Sequence, residues 1–93
     1  MKQIVALPSF ERSFKKLDSH AKTKVVEALE QFNEFLISGS IPTGFGFKKI
    51  NHDKYEFRVD IRLRVVMKSE GAVFYLVLVG NHDEVRRYLR NFR

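Results

Sequence analysis

The sequence predicts an α+β fold: a small, mostly antiparallel β-sheet with an N-terminal helical hairpin on one face and a short C-terminal helix. Residues 55–67 alternate apolar and polar side chains with period 2, which is typical of two half-buried strands. Residues 18–36 repeat apolar side chains at helical spacing, whereas residues 73–80 are almost unbroken apolar and indicate a strand covered on both faces. The predicted order is β-α-α-β-β-β-β-α, in one domain of residues 1–93.

The first elements are a strand and two helices. Residues 2–7 predict a short strand, and Pro8 fits the first turn of a helix, where its missing N–H costs nothing. The apolar side chains of this helix are Phe10, Phe14 and Leu17. Asp18 and Ser19 are both good N-cap residues, so a longer helix begins there, with an apolar side of Val25, Leu29, Phe32 and Leu36. The apolar sides of the two helices must cover a sheet.

Residues 38–46 form a loop, and residues 47–50 begin a second strand. The next two strands form a hairpin that bends at residues 60–62. One nearby register keeps both apolar sets on the core side, and its pairs are Val59–Leu63, Phe57–Val65 and Tyr55–Met67. A slip by one residue would turn every side chain over, so this register is strongly specified.

The same register places Arg58 directly opposite Arg64. Like charges in opposed positions are destabilising, and an anion held between two guanidinium groups would compensate for the cost. The alternative is a pair of solvent-facing arginines balanced by Glu56 and Asp60. Glu56, on the same face as Arg58, is either a base or a partner in an ion pair.

A third helix is predicted over residues 82–92, with Asn81 and Glu84 as a capping box. Its inner face has Val85, Tyr88 or Leu89, and Phe92, and its outer face has Arg86, Arg87, Arg90 and Arg93. His82 follows the last strand, so we expect its ring at one end of the sheet, near N–H groups that favour anions. It is either a proton-transfer residue or a solvated histidine at a helix start.

The composition narrows the class of protein. The 93 residues carry a net charge of +6 and no cysteine, which excludes disulfides, thiolate zinc sites and cysteine nucleophiles. Residues 1–47 hold six Lys and Arg against five acidic residues, and residues 48–93 hold eleven against six. A basic half of this kind indicates nucleic acid, an acidic protein partner or a solvated surface. Without a long apolar run or a signal peptide, we expect a cytoplasmic protein that does not enter the membrane.

The remaining motifs are weaker. Lys48 and Lys49 flank a loop in which Phe45 or Phe47 either stacks on a base or closes the edge of the core. The three histidines are too scattered in the sequence to predict a metal site. No phosphate-binding Gly-rich motif or paired-carboxylate spacing is present.

The whole chain resembles the RelE/ParE superfamily of toxins from toxin–antitoxin modules. The landmarks are the helix start at Phe10–Leu17, Lys48-Lys49-Ile50 before the hairpin, Tyr55-Glu56-Phe57-Arg58, then Arg64-Val65-Val66-Met67, and Val79-Gly80-Asn81-His82-Asp83. The resemblance to the RelE-like branch implies a protein that enters the ribosomal decoding site and cuts the messenger there, without metal or cofactor.

The resemblance also implies roles for individual residues. Arg58, Arg64 and His82 match positions that carry functional residues in relatives. Some relatives have a lysine where this chain has Glu56, which leaves the base unassigned, and others place a catalytic tyrosine on the last helix, where Tyr88 is the candidate. The residues that we expect to contact RNA are Lys48, Lys49, Arg62 and Arg86.

Two alternatives remain at this point. A ParE-like protein would inhibit DNA gyrase through protein contacts and would not need the two arginines and the histidine. A non-toxic module of the same fold would use its basic face only for an antitoxin. The resemblance implies a cognate antitoxin, which we expect to be a short acidic protein with an amphipathic helix. It also implies the ribosome and the messenger as partners.

Overall fold

The computed structural model describes residues 3–91 and confirms the predicted fold class and element order. The elements are β1 (Gln3–Ala6), α1 (Pro8–Lys15), α2 (Ser19–Ser38), β2 (Lys48–Lys49), β3 (Lys54–Arg58), β4 (Arg64–Glu70), β5 (Val73–Gly80) and α3 (His82–Asn91). The strands form one sheet in the order β1-β5-β4-β3-β2, in which β1 pairs with β5 in parallel and the other pairs are antiparallel. The predictions for Lys2, Phe92 and Arg93 lie outside the described residues.

The hairpin of β3 and β4 has the predicted register. Its Cα partners include Tyr55–Met67, Phe57–Val65 and Arg58–Arg64. Beyond the strands, the Val59 N–H donates to the Leu63 carbonyl at 2.8 Å. Asp60 closes the turn, because its Oδ1 accepts hydrogen bonds from the N–H groups of Arg62 and Leu63, each at 2.8 Å.

Aromatic rings fill the space between the sheet and the helical hairpin of α1 and α2. Phe32 of α2 is fully buried, and its ring centroid lies 5.0 Å from that of Phe57 and 5.4 Å from that of Phe74. Phe45 is 4% exposed and stacks on Phe57 at 4.6 Å. The loop phenylalanine therefore closes the edge of the core, as one of the two interpretations predicted.

The opposite face of the sheet carries α3. Val66, Val77 and Val85 are buried but lie outside the main core cluster, and α3 contacts β4 and β5. The pairing of β4 with β5 shifts after Val66, and the extra residue of this β-bulge is Val77. Helices thus cover both faces of β5, as its unbroken apolar sequence predicted.

Helix α1 also protects the edge of β5. Strand β1 pairs with β5 only as far as Leu76. Beyond that point Ser9 Oγ donates to the Val77 carbonyl at 2.7 Å, and Ser13 Oγ accepts from the Val79 N–H at 3.0 Å. The two serines take the place of a neighbouring strand, so these backbone groups have partners.

Both predicted helix caps are present. Asp18 is the N-cap of α2, and its Oδ1 accepts from the Ala21 N–H at 2.8 Å. At α3 the Glu84 carboxylate accepts from the Asn81 N–H, and Asn81 Oδ1 accepts from the Glu84 N–H, each at 2.9 Å. This reciprocal pair is the predicted capping box, and it fixes the helix start beside His82.

Candidate active site

One face of β2, β3 and β4 is strongly basic. Phe57 and Val65 point towards the helical hairpin, so their chain neighbours point to the other side. We call that other side the basic face; besides the buried Val66, it carries five cations and two carboxylates, which are Lys48, Lys54, Arg58, Arg64, Lys68, Glu56 and Glu70. The arrangement follows from strand alternation alone.

A row across three strands brings the predicted catalytic residues to one end of the sheet. Arg58 of β3 is the register partner of Arg64 in β4, which in turn is the partner of Gly80 in β5. Neighbouring strands are about 4.8 Å apart, so the row spans about 10 Å. His82 follows Gly80 by two residues, is exposed and begins α3. Arg58, Arg64 and His82 therefore emerge at the same end of the sheet.

Glu56 is the buried carboxylate of the basic face. Its side chain is 8% exposed, and its two oxygens face Arg64 Nη1 at 3.4 Å and Lys48 Nζ at 3.6 Å. Because the Arg64 side chain is itself only 22% exposed, this contact limits the directions that its guanidinium can take. The geometry matches the ion-pair interpretation of Glu56.

Arg58 is exposed, and among residues 3–91 its guanidinium has no ion-pair partner. The loop before β2 runs close beside it: the Arg58 N–H donates to the Phe45 carbonyl at 2.8 Å. Gly46 adopts a left-handed conformation (φ +68°), and a Cβ there would lie 3.8 Å from the Arg58 guanidinium carbon. The loop thus supports Arg58 while leaving its charge available to an anion.

The other predicted site residues are more dispersed. Lys49 pairs with Tyr55, so strand alternation puts it on the side opposite Lys48 and away from the basic face. Tyr88 is half-buried on α3. Arg62 is exposed in the hairpin turn and lines a cavity of about 740 Å³ between this turn and the starts of α2 and α3. Arg86 is exposed and lines a separate cleft.

Two lysines of the basic face were missed from the sequence. Lys54 is the register partner of Lys68, and Lys54 Nζ lies 2.9 Å from Asp53 Oδ1. The hydrogen bond from Lys54 lowers the pKa of Asp53, and the hydrogen bond and charge of Glu70 raise the pKa of Lys68. The alternation that identified Arg58 and Arg64 also contains these two positions, so the signal was present.

Two further properties concern the described part of the chain. Residues 3–91 contain no cluster of three His, Asp or Glu side chains arranged to hold a metal ion. No helix in the same range is long and apolar enough to cross a membrane.

Solved structures share this fold, whereas no protein-family model and no curated protein sequence matches the chain. The RelE structure in the RelB–RelE antitoxin–toxin complex from Methanococcus jannaschii superposes with a TM-score of 0.68 and 20% identity, covering 90% of this chain and 96% of that one. YafQ from E. coli strain BL21(DE3) gives 0.66 and 12%, covering 91% and 98%. YoeB from Staphylococcus aureus, a dimer, gives 0.64 and 16%, covering 87% and 97%.

The first of these structures is an antitoxin–toxin complex, and a further structure of E. coli YafQ is a toxin–antitoxin complex with DinJ. The chain therefore has the RelE/ParE-like fold, as the resemblance in its sequence predicted. At these identities the likeness shows the fold alone.

Proposed function

We propose that this protein is the toxin of a toxin–antitoxin pair and an endoribonuclease that cuts messenger RNA on the ribosome. The row of Arg58, Arg64 and His82 at one end of the sheet carries the proposal. The fold shared with RelE, YafQ and YoeB supports it.

The proposed reaction uses the nucleophile of the RNA itself. The 2′-oxygen attacks the adjacent phosphorus, a bond from this oxygen to phosphorus forms, and the bond from phosphorus to the 5′-oxygen breaks. The 2′-hydroxyl gives up its proton to a base, and the departing 5′-oxygen gains one from an acid. The products are a 2′,3′-cyclic phosphate and a free 5′-hydroxyl.

The arginines and the histidine have different parts in this reaction. Arginine stays protonated, so Arg58 and Arg64 cannot be bases, but their planar N–H forks suit the charge that grows on the phosphate oxygens. His82 carries out one of the two proton transfers, as base or as acid, because a neutral imidazole accepts a proton and an imidazolium donates one. Glu56 holds Arg64 through the ion pair at 3.4 Å and so acts as a positioning residue.

The test is cleavage of a messenger on purified ribosomes, followed by primer extension and analysis of the new ends. We expect the wild type to leave 2′,3′-cyclic phosphates. Arg64→Ala and His82→Ala should each lower the cleavage rate by about 10²-fold or more, as is typical when one transition-state contact or proton-transfer residue is removed. Arg12→Ala is the matched control, since Arg12 is exposed on α1, away from the row.

Other outcomes would replace the proposal. If the wild type stops DNA replication and leaves messengers intact, the ParE-like alternative is correct. If Arg12→Ala lowers cleavage as much as Arg64→Ala, the row has no special role. If induction has no effect on growth or translation, the protein is a non-toxic module of this fold.

We also propose an acidic antitoxin as the partner. The neighbour from Methanococcus jannaschii is a complex of RelE with RelB, and the present chain has a net charge of +6. An apolar groove of about 300 Å³ between α1 and α2 contains Phe10, Phe14, Val26 and Leu29, and can take the apolar side of a partner helix. Co-expression with the acidic protein encoded beside it should yield a complex, and separate elution of the two proteins would contradict this.

A further inference from the structure

A cleft lies between α3 and the turn that joins β2 to β3. Its volume is about 400 Å³, and it is lined by Asn51, Arg86, Leu89 and Arg90. No carboxylate lines it, and neither arginine has an ion-pair partner among residues 3–91. Like charges one helical turn apart are destabilising, so two unpaired guanidinium groups at one cleft favour a bound anion.

The cleft continues from the proposed active site. His82, Arg86 and Arg90 are spaced four residues apart, so they form one ridge along α3. The helix rises 1.5 Å per residue, which places Arg86 about 6 Å and Arg90 about 12 Å beyond His82 along the axis. Asn51 belongs to the β2–β3 turn and lines the same cleft as Arg86 and Arg90. The ridge therefore faces the β2–β3 side of the molecule, where the basic face lies.

We propose that this cleft binds a backbone phosphate of the RNA strand at a position removed from the phosphate that is cut. The inference rests on the proposed function, since it assumes that RNA enters at His82. Arg86 and Arg90 contact the phosphate oxygens with paired N–H donors, and the Asn51 amide donates a further hydrogen bond. Leu89 gives the cleft an apolar wall against which the sugar packs.

The shape of the cleft favours RNA over an acidic peptide as the occupant. A partner helix binds through an apolar stripe, but the lining of this cleft has a single apolar side chain, Leu89. The groove suited to such a stripe lies elsewhere, between α1 and α2. A phosphodiester strand needs cations at intervals along its path, which the ridge of α3 provides.

The test measures binding of a 2′-O-methyl RNA oligonucleotide, which cannot be cut because its 2′-oxygen is blocked. The double variant Arg86→Gln/Arg90→Gln should bind about tenfold more weakly than the wild type, and the slope of log affinity against log salt should fall by about 0.7 for the lost phosphate contact. Arg87→Gln is the control, since Arg87 is exposed on the same helix and does not line the cleft. All three arginines are exposed, so thermal unfolding should not distinguish the variants.

The results separate this inference from the proposed function. If the wild type does not cut messengers but its RNA binding depends on Arg86 and Arg90, the nuclease proposal fails and the phosphate site stands. Equal RNA affinity of the double variant and Arg87→Gln overturns the phosphate site, whatever the cleavage assay gives. Loss of affinity for the acidic partner with unchanged RNA affinity also overturns it, and assigns the cleft to that partner.

Discussion

The two sides of the sheet are built from alternate residues of the same strands, yet apolar packing dominates one side and charge dominates the other. On the side that faces the helical hairpin of α1 and α2, Phe57 is fully buried and stacks against Phe32 and Phe45. On the basic face, the next residue, Arg58, is exposed and stands opposite another arginine. The side that faces the helical hairpin makes the fold stable, whereas the basic face holds the Arg58 guanidinium without an ion-pair partner among residues 3–91.

The sizes of two free energies, apolar burial and charge repulsion, explain why the opposed arginines of the basic face are tolerated. Burying one large apolar side chain contributes about 1.5–3 kcal/mol, whereas an opposed pair of like charges changes stability by at most about 1 kcal/mol. The aromatic core therefore determines the register, and the pairs Arg58–Arg64 and Lys54–Lys68 follow from it. A sheet can thus hold repelling cations side by side when its other side is well packed.

The largest expected effect is a loss of stability when the core between the sheet and the helical hairpin is disrupted. Phe32→Ala removes a fully buried ring that contacts Phe57 and Phe74, and should lower the free energy of unfolding by about 3–5 kcal/mol. Urea denaturation measures this loss. Ile61→Ala serves as the control, because Ile61 is 91% exposed and its truncation should change stability by less than about 0.5 kcal/mol. Equal effects of the two variants would show that the core is not centred on Phe32.

The second effect concerns Glu56, the buried carboxylate of the basic face. Glu56→Gln keeps the shape of the side chain but removes two ion pairs, and should cost about 1–2 kcal/mol in the free energy of unfolding. RNA affinity should rise, because the basic face loses one of its two negative charges. Both quantities are accessible by urea denaturation and by titration with a 2′-O-methyl oligonucleotide.

Glu70→Gln is the matched control for Glu56. Glu70 pairs with Lys68 at 3.1 Å, but its side chain is 62% exposed, so its loss should cost between 0 and about 1 kcal/mol. If the two variants are equally stable, burial does not distinguish the two carboxylates. If Glu56→Gln binds RNA normally but loses cleavage by about 10³-fold, Glu56 is the base and not a positioning residue.

The smallest expected effect is on stability at acidic pH, and it comes from Asp60 in the turn that joins β3 to β4. Burial opposes the ionisation of Asp60, but hydrogen bonds from the N–H groups of Leu63 and Arg62 and from Lys24 outweigh it, so the pKa of Asp60 lies below its usual value. A carboxyl group with a lowered folded-state pKa stabilises the fold above its unfolded pKa of about 4, and this stabilisation is lost as the pH falls through the folded value.

Asp60→Asn removes this titration and leaves an oxygen that can still accept the turn hydrogen bonds. We expect the stability of the wild type to fall more steeply than that of the variant as the pH drops below about 4. Urea denaturation at a series of acidic pH values measures the two slopes. Parallel slopes would mean that another carboxylate accounts for the acid sensitivity.

The amino-acid sequence was sufficient for everything that depends on local pattern. Period-2 alternation predicted the β3–β4 register and the opposition of Arg58 and Arg64, because a shift by one residue would expose the whole apolar set. Helix caps at Asp18 and Asn81 were predictable for a similar reason, since each requires partners only three residues away.

Tertiary structure alone decided which distant groups meet. The parallel pairing of β1 with β5, the serines of α1 on the edge of β5, and the cleft of Asn51 with Arg86 and Arg90 each join segments far apart in the chain. No local periodicity records such contacts, because they arise from how layers of helices and strands pack. The composition made the chain basic, but the fold determined which of its cations stand together without a partner and can bind a phosphate.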